Sequence, residues 1–301
     1  MDSALVYKSN ALVEASYRLS VYEQRIILAC IAQVRRDEPL TDQQLYAVSA
    51  QQIADMTGTQ LGTTYQNLKA ASERLYRREV TLHEAPNGEG KGKVRLTRWV
   101  QTVEYREAEG LVALRFGADM VPYLSQLSAQ FTRYALADVA KMDSAYGIRL
   151  YELLCQWRDA GEREVSIEWL RDAFQLGDKY PAIKDFKRWV LEPAVAQINE
   201  HSPLQVIWTQ RKTGRRVTHL AFTFAPKEAA KKRQKPAAPP AEKPRKPKES
   251  AGPQQATGYL AFVLSQLKMT EAEFNAAARP GEDHKQAFAR LKRERRGVTA
   301  D

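Results

Sequence analysis

The feature that most constrains this chain is a pattern that occurs twice in the same order. Residues 20–33 read as a helix carrying Tyr22-Glu23-Gln24-Arg25-Ile26, and residues 144–160 as one carrying Tyr146-Gly147-Ile148-Arg149-Leu150. Each is followed by a short strand running into a helix: Val48-Ser49-Ala50-Gln51-Gln52-Ile53-Ala54-Asp55 in the first half, Val165-Ser166-Ile167-Glu168-Trp169-Leu170-Arg171-Asp172 in the second. In both, the Ser stands where an N-cap hydroxyl accepts from the first turn. A third helix opens near Tyr65-Gln66-Asn67-Leu68-Lys69, covering residues 63–78, matched by Tyr180-Pro181-Ala182-Ile183-Lys184 at the head of residues 181–200. Each half ends in strands. Helix, strand, helix, helix, hairpin is the order of a winged helix, so the repeat predicts an α+β fold of two tandem winged-helix domains.

In the second half Leu204, Val206 and Trp208 alternate on one face of a strand, and Leu220, Phe222 and Phe224 on a face of the next. Between them, Arg211-Lys212-Thr213-Gly214-Arg215-Arg216 makes a hairpin tip with a Gly turn. In the first half, strands are expected near residues 80–83, 93–105 and 111–116, with a Gly-rich turn at 87–92. The run Gly88-Glu89-Gly90-Lys91-Gly92-Lys93 superficially resembles a phosphate loop. It lacks the four-residue gap between glycines before Gly-Lys, and Val94 stands where Ser or Thr is required, so it reads as a wing tip.

Charge places the boundaries. The net charge is +10, but residues 1–143 are neutral and residues 144–225 carry only +2. Residues 226–258 hold seven of the fourteen prolines and a net +6, the composition of a disordered, self-repelling linker that cannot bury a core. The expected organisation is a winged helix at 1–140, a second at 141–225, the basic Pro/Lys/Ala-rich linker at 226–258 and a short helical tail at 259–301. In the tail, Thr270-Glu271-Ala272-Glu273 has capping-box spacing before Phe274, and residues 283–296 are helical and basic in character. A basic tail supports only non-specific attraction to polyanions, so specific binding must rest on charge within the folded part.

Two features there qualify. In residues 181–200, Ile183, Phe186, Val190, Ala194 and Ile198 form a buried stripe, which leaves Lys184, Lys187 and Arg188 together on another face. Pro181 suits the first turn, and Pro193, inside the pattern, predicts a kink. A basic third helix fits the major groove, where Arg and Lys pair with guanine edges or phosphates. The alternative is a solvated charged face. The wing tip adds Arg211, Lys212, Arg215 and Arg216 around Thr213, like charges that repel unless phosphates or a minor groove compensate them. The equivalent helix of the first half turns Leu68, Ala71 and Leu75 inward. It leaves a mixed face of Gln66, Asn67, Lys69, Glu73 and Arg74, suited to adenine edges or to a protein interface.

No nucleophile–base set, metal pair or carboxylate cluster stands out. The four histidines (His83, His201, His219, His284) are scattered, and Cys30 and Cys155 read as small core residues of a reducing compartment. No catalytic residue, metal or cofactor is expected. Nothing reads as a signal peptide or membrane span, so a cytoplasmic protein is expected.

Several runs resemble a known family. Ala145-Tyr146-Gly147-Ile148-Arg149-Leu150-Tyr151-Glu152-Leu153-Leu154, then Lys184-Asp185-Phe186-Lys187-Arg188-Trp189-Val190-Leu191-Glu192-Pro193-Ala194 with Ile198-Asn199-Glu200, then the wing with its Phe222-Thr223-Phe224 ending, are similar to the replication initiators of iteron-containing, theta-replicating plasmids. So is the stretch from Lys8-Ser9-Asn10 to Leu19-Ser20-Val21-Tyr22-Glu23-Gln24-Arg25. The resemblance covers residues 5–225, more specifically in the second half. It implies monomers that bind direct repeats (iterons) at a plasmid origin, help open an AT-rich segment and recruit the host initiator and replicative helicase. It also implies homodimers, joined mainly through the first domain, that bind an operator inverted repeat and repress their own gene. A chromosomal winged-helix transcriptional regulator is the alternative, and a nicking initiator enzyme the third class. The tail after Pro226 departs from shorter family members.

Overall fold

Local chain chemistry sets the helix starts. Ser20 and Ser49 each accept from the backbone three residues on, while Glu23 and Gln52 reach back to the capping residue's own N–H, closing two capping boxes. Ser144 and Ser166 cap the equivalent helices of the second half. The computed structural model describes residues 4–35, 40–86, 94–125, 127 and 129–228, and singly 270, 273, 274, 277 and 291. Strand β1 (Leu5–Ser9), α1 (Asn10–Val13) and β2 (Ser16–Tyr17) lead in. Then come α2 (Val21–Ile31), β3 (Tyr46–Ser49), α3 (Ala50–Thr57), α4 (Leu61–Leu75), β4 (Glu79–Leu82), β5 (Arg95–Arg98), β6 (Val100–Arg106) and β7 (Leu111–Phe116). A connection of α5 (Val121–Leu124), β8 (Phe131–Ala135) and α6 (Ala137–Ala140) leads to α7 (Ala145–Cys155), β9 (Glu162–Ser166) and α8 (Ile167–Ala173). The chain continues through α9 (Ile183–Phe186), a π-helical turn (Lys187–Leu191), α10 (Glu192–His201), β10 (Leu204–Thr213) and β11 (Arg216–Pro226).

The topology repeats as the sequence predicts. The sheet order is β3-β7-β6 in the first half and β9-β11-β10 in the second, with antiparallel pairs throughout. Helices α2 and α7 open the two units, and each is buried over its last nine residues. Such all-round burial belongs to central helices. Gly147 lets α7 cross α10 closely, since a Cβ there would stand 3.3 Å from that of Gln197.

Several expectations need correction. The strand expected at 93–105 is two strands in different sheets: β5 pairs with β4, and β6 pairs with β7. Between them Trp99 is fully buried, and a register shift at Val100/Thr102 marks the crossing. A large aromatic that must enter the core turns the chain from one sheet to the other. The first domain's wing is therefore the β6–β7 hairpin, whose tip is Glu107–Glu109 followed by Gly110, rather than the Gly-rich turn. That turn joins β4 to β5, and residues 87–93 lie outside the described residues. Leu204, Val206 and Trp208 share one face of the hairpin with Leu220, Phe222 and Phe224, because Val206 stands opposite Phe224 and Trp208 opposite Phe222. Pro181 lies before the helix, which starts at Ile183. Pro193 does not end the helix, which continues through α10 to His201. The π turn immediately ahead bonds the Glu192 N–H to the Lys187 carbonyl, and this looser register accommodates a proline that has no N–H to donate. Strands β1 and β8, which pair with each other, and the connection's short helices were not anticipated.

Residues Met1–Pro236 form one compact unit. Within it the two winged helices hold each other through reciprocal clasps. From α2, Arg25 donates to the Ala140 and Met142 carbonyls and to Asp143, on the segment leading into α7. From α7, Arg149 donates to the Ala15 carbonyl and the Tyr17 hydroxyl, on the segment leading into α2. These are the two arginines of the repeated Tyr-x-x-Arg pattern. Beneath the second clasp lies a buried charge cluster. Glu152 accepts from Lys8 (2.5 Å), Tyr134 (2.5 Å), Arg149 (3.0 Å) and Tyr17 (3.1 Å). Burial alone would raise the Glu152 pKa, but the Lys8 and Arg149 charges and these bonds hold it below the usual carboxylate range. Cys30 and Cys155 are buried free thiols, and burial pushes Cys155 up to about 11.

The expected linker and helical tail lie outside the described residues beyond 228, apart from the single positions named. Among those, Thr270 and Glu273 exchange the bonds of a capping box.

Candidate nucleic-acid interface

The candidate recognition segment of the second unit is α9 with the π turn. Phe186, Val190 and Leu191 anchor it in the core, and α10 continues the anchor with Ala194 and Ile198. Lys184 and Arg188 are exposed and Lys187 half-buried. The Lys187 ammonium donates to the Gln210 side chain at 3.3 Å, tying the helix to β10 just below the wing. Helix and wing thus form one surface. At its tip, Gly214 (φ +61°) takes the first of the two turn positions between Thr213 and Arg216, a conformation open to glycine at little cost.

The six wing-tip residues, 211–216, are all exposed. Their cations are not equivalent. Arg211 grips both oxygens of Glu164, at 2.6 and 2.7 Å, so its charge is answered within the protein. Lys184, Arg188, Lys212, Arg215 and Arg216 have no carboxylate partner among the described residues. The segment also exposes Trp189, 54% accessible, with the Arg188 guanidinium 4.9 Å from its ring. Sequence reasoning passed over this residue. An aromatic next to the basic face, outside the apolar stripe, was the signal for it.

The first unit's candidates are dispersed. On α4, Gln66 is exposed and Asn67 half-buried. Lys69 lies 3.4 Å from Glu107 of the acidic wing and over the Tyr105 ring, and the Tyr65 hydroxyl donates to the Glu107 carbonyl. Arg74 bonds Glu23 at 3.0 Å, and Arg78 bonds the same carboxylate with two nitrogens. Burial would raise the Glu23 pKa; Arg78 and the Ser20 N–H, with Arg74, bring it below the ordinary value. Arg74 is exposed, as expected of the outer face, and its guanidinium also answers a buried charge. Among the described residues no group of His, Cys, Asp and Glu could hold a metal ion, and no helix is long and apolar enough to cross a membrane.

Comparison with known proteins decides the family. Residues 5–155 match the model described as "Initiator Replication protein, WH1", and residues 166–224 match "Initiator Rep protein, WH2". The chain belongs to the replication-initiator family. This initiator is 27% identical to an Escherichia coli protein named "Replication initiation protein", over 74% of its own length and 70% of the relative's. It is 22% identical to the E. coli "PI protein", over 71% and 80% respectively. Among solved structures, "Crystal structure of Pi initiator protein in complex with iteron DNA" matches with a TM-score of 0.62 at 21% identity, covering 75% of this chain and 98% of that one. The latter likeness shows the shared fold. The initiator is thus a DNA-binding replication protein built from two winged helices, with mixed helix and strand content as the repeat predicts.

Proposed function

We propose that the initiator binds the direct repeats of a plasmid origin sequence-specifically, through the second winged helix. What carries the reading is one surface on which Lys184, Arg188, Lys212, Arg215 and Arg216 lack carboxylate partners while Lys187 links helix to wing. Exposed cations without counter-charges favour a polyanion, and a helix beside a hairpin matches a major groove beside its flanking backbone. Arg188 and Lys184 face base edges, with Trp189 as apolar contact; Lys212, Thr213, Arg215 and Arg216 meet phosphates, and Arg211 a phosphate at most weakly. Gln66 and Asn67 give auxiliary contact from the first winged helix, whose Lys69 and Arg74 are engaged by Glu107 and Glu23.

In this reading the bound monomer helps open an adjacent AT-rich segment and recruits the host initiator and replicative helicase in the bacterial cytoplasm. A homodimer represses the gene at an inverted repeat. Dimerisation fits the first domain, where the β5 edge strand exposes Leu96 at 64% beside Val94 at 68%. An apolar edge strand is a template for pairing with a second copy. The protein makes no covalent change to DNA, and needs no metal or cofactor. The boundaries proposed are 1–140 and 141–225.

A footprint on the DNA flanking the gene tests the reading. Protection of tandem direct repeats is the expected result, and a lone palindrome would support a transcriptional regulator instead. Relaxation of supercoiled origin DNA by protein and magnesium would overturn the non-enzymatic reading.

A further inference from the structure

The repeated Ser-x-Tyr-x-x-Arg pattern, Ser20 to Arg25 and Ser144 to Arg149, does more than join the two halves. A cleft of about 680 Å³ lies where the two helices begin. Ser20 and Val21 from the start of α2 line it, with Ser144, Ala145 and Tyr146 from the start of α7. Both helices run for eleven residues, and each brings the positive end of its macrodipole to the cleft. The backbone N–H groups of Val21, Tyr22, Ala145 and Tyr146 have no acceptor among the described residues.

The side chains point the same way. Arg18, Arg78 and Arg149 line the cleft, against Asp143 as the one lining carboxylate. Ion pairing does not neutralise them. Glu23 is shared by Arg74 and Arg78, Glu152 by Lys8 and Arg149, and Asp143 answers Arg25. Among the described residues exposed Arg18 is unpaired, and the lining residues with their ion-pair partners hold six cations against three carboxylates. The decisive detail is inside. Arg149 is 3% exposed; its two terminal nitrogens bond Tyr17, Glu152 and the Ala15 carbonyl, while its Nε is buried without a hydrogen-bond partner among the described residues. A buried guanidinium N–H left unbonded is costly unless something else accepts from it. Trp189 and Pro193 of the recognition helix form another wall, so the cleft opens beside the proposed DNA surface.

We infer that this cleft is an anion site that takes a phosphate group, with Arg18 at its mouth and the starts of α2 and α7 at its floor. Two sources offer that chemistry: a backbone phosphate of the duplex engaged by the recognition helix, or a free phosphate-bearing small molecule. The first source rests on the DNA-binding reading; the second does not.

The experiment uses the full chain as wild type, Arg18→Glu and Arg18→Lys, with circular dichroism to establish that each is folded. One arm measures affinity for the footprinted duplex against salt. A backbone phosphate in the cleft predicts that the slope of log K against log salt falls by about one in Arg18→Glu and is restored in Arg18→Lys. The other arm titrates pyrophosphate and follows the melting temperature. A small-molecule site predicts a saturable rise in wild type that is lost in Arg18→Glu and retained in an Arg215→Ala/Arg216→Ala variant, which removes the wing as the binding place. A change in either arm supports the site and names its source. Folded Arg18→Glu that matches wild type in both arms overturns it. Wild type that fails to bind the duplex sinks the DNA-binding reading alone, and the pyrophosphate arm still decides the site.

Discussion

Replacing Glu152 with Gln should reveal what holds the two winged helices together. The carboxylate is 1% exposed and accepts from Lys8, Tyr17, Tyr134 and Arg149. The variant keeps the shape but leaves two buried cations with no counter-charge. Removing one partner of a buried ion pair costs about 3–5 kcal/mol. At about 2–4 °C per kcal/mol for a folded region of this size, the melting temperature should fall by roughly 6–20 °C. Lys8→Met should behave differently. It leaves Arg149 and Glu152 as a one-to-one pair and puts an apolar chain of similar length beside the Tyr17 and Trp99 rings, so its cost should be about 1–2 kcal/mol. The same carboxylate sets an acid limb. Its folded pKa is depressed, so its contribution is complete above the unfolded value of about 4.3 and is lost as pH falls through the lower folded value. The stability gap between wild type and Glu152→Gln should therefore narrow at acid pH. Calorimetry of the three proteins between neutral and acid pH measures all of this. A fall of less than about 3 °C in Glu152→Gln, or equal losses in both variants, would refute the excess-cation account.

Arg215→Ala/Arg216→Ala should lower the salt slope of duplex binding by up to about two, whereas Arg211→Ala, whose charge Glu164 already answers, should lower it by clearly less than one; equal effects per arginine would show that the Glu164 pair opens on DNA. Arg74→Ala should leave duplex affinity unchanged and cost under about 1 kcal/mol of stability, because its half-exposed guanidinium shares Glu23 with Arg78; a loss of affinity at unchanged stability would return it to the DNA surface. Truncation after residue 228 should leave the footprint in place, and its loss would show that the tail completes the binding site.

The repeat was legible because it is local: a capping serine, a short strand and a helix leave their marks within ten residues. Helix stripes such as Ile183, Phe186 and Val190 were legible for the same reason. What escaped was set by contacts distant in sequence. Whether residues 93–105 stay in one sheet depends on Trp99 entering a core built from elements on both sides. Arg74 is the outward charge its helix position predicts, but its bond to the buried carboxylate of Glu23, fifty-one residues away, leaves no mark in the sequence. The wing's charge was plain, but the Arg211–Glu164 pair across β10 and β9 was not, since pairing through β11 has no sequence signature. The buried cluster of Lys8, Arg149 and Glu152 was similarly hidden, because each residue alone reads as an ordinary surface charge of a helix or strand.

The central claim is that the basic helix and wing of the second winged helix read DNA sequence. The most direct measurement is the affinity ratio between a duplex bearing the origin's direct repeats and a scrambled duplex, at one salt concentration, for wild type and Lys184→Ala/Arg188→Ala. The account predicts a ratio of at least about 10³ for wild type, collapsing in the variant while weak binding to the scrambled duplex persists. A wild-type ratio near one, or a variant that discriminates as well as wild type, would contradict it.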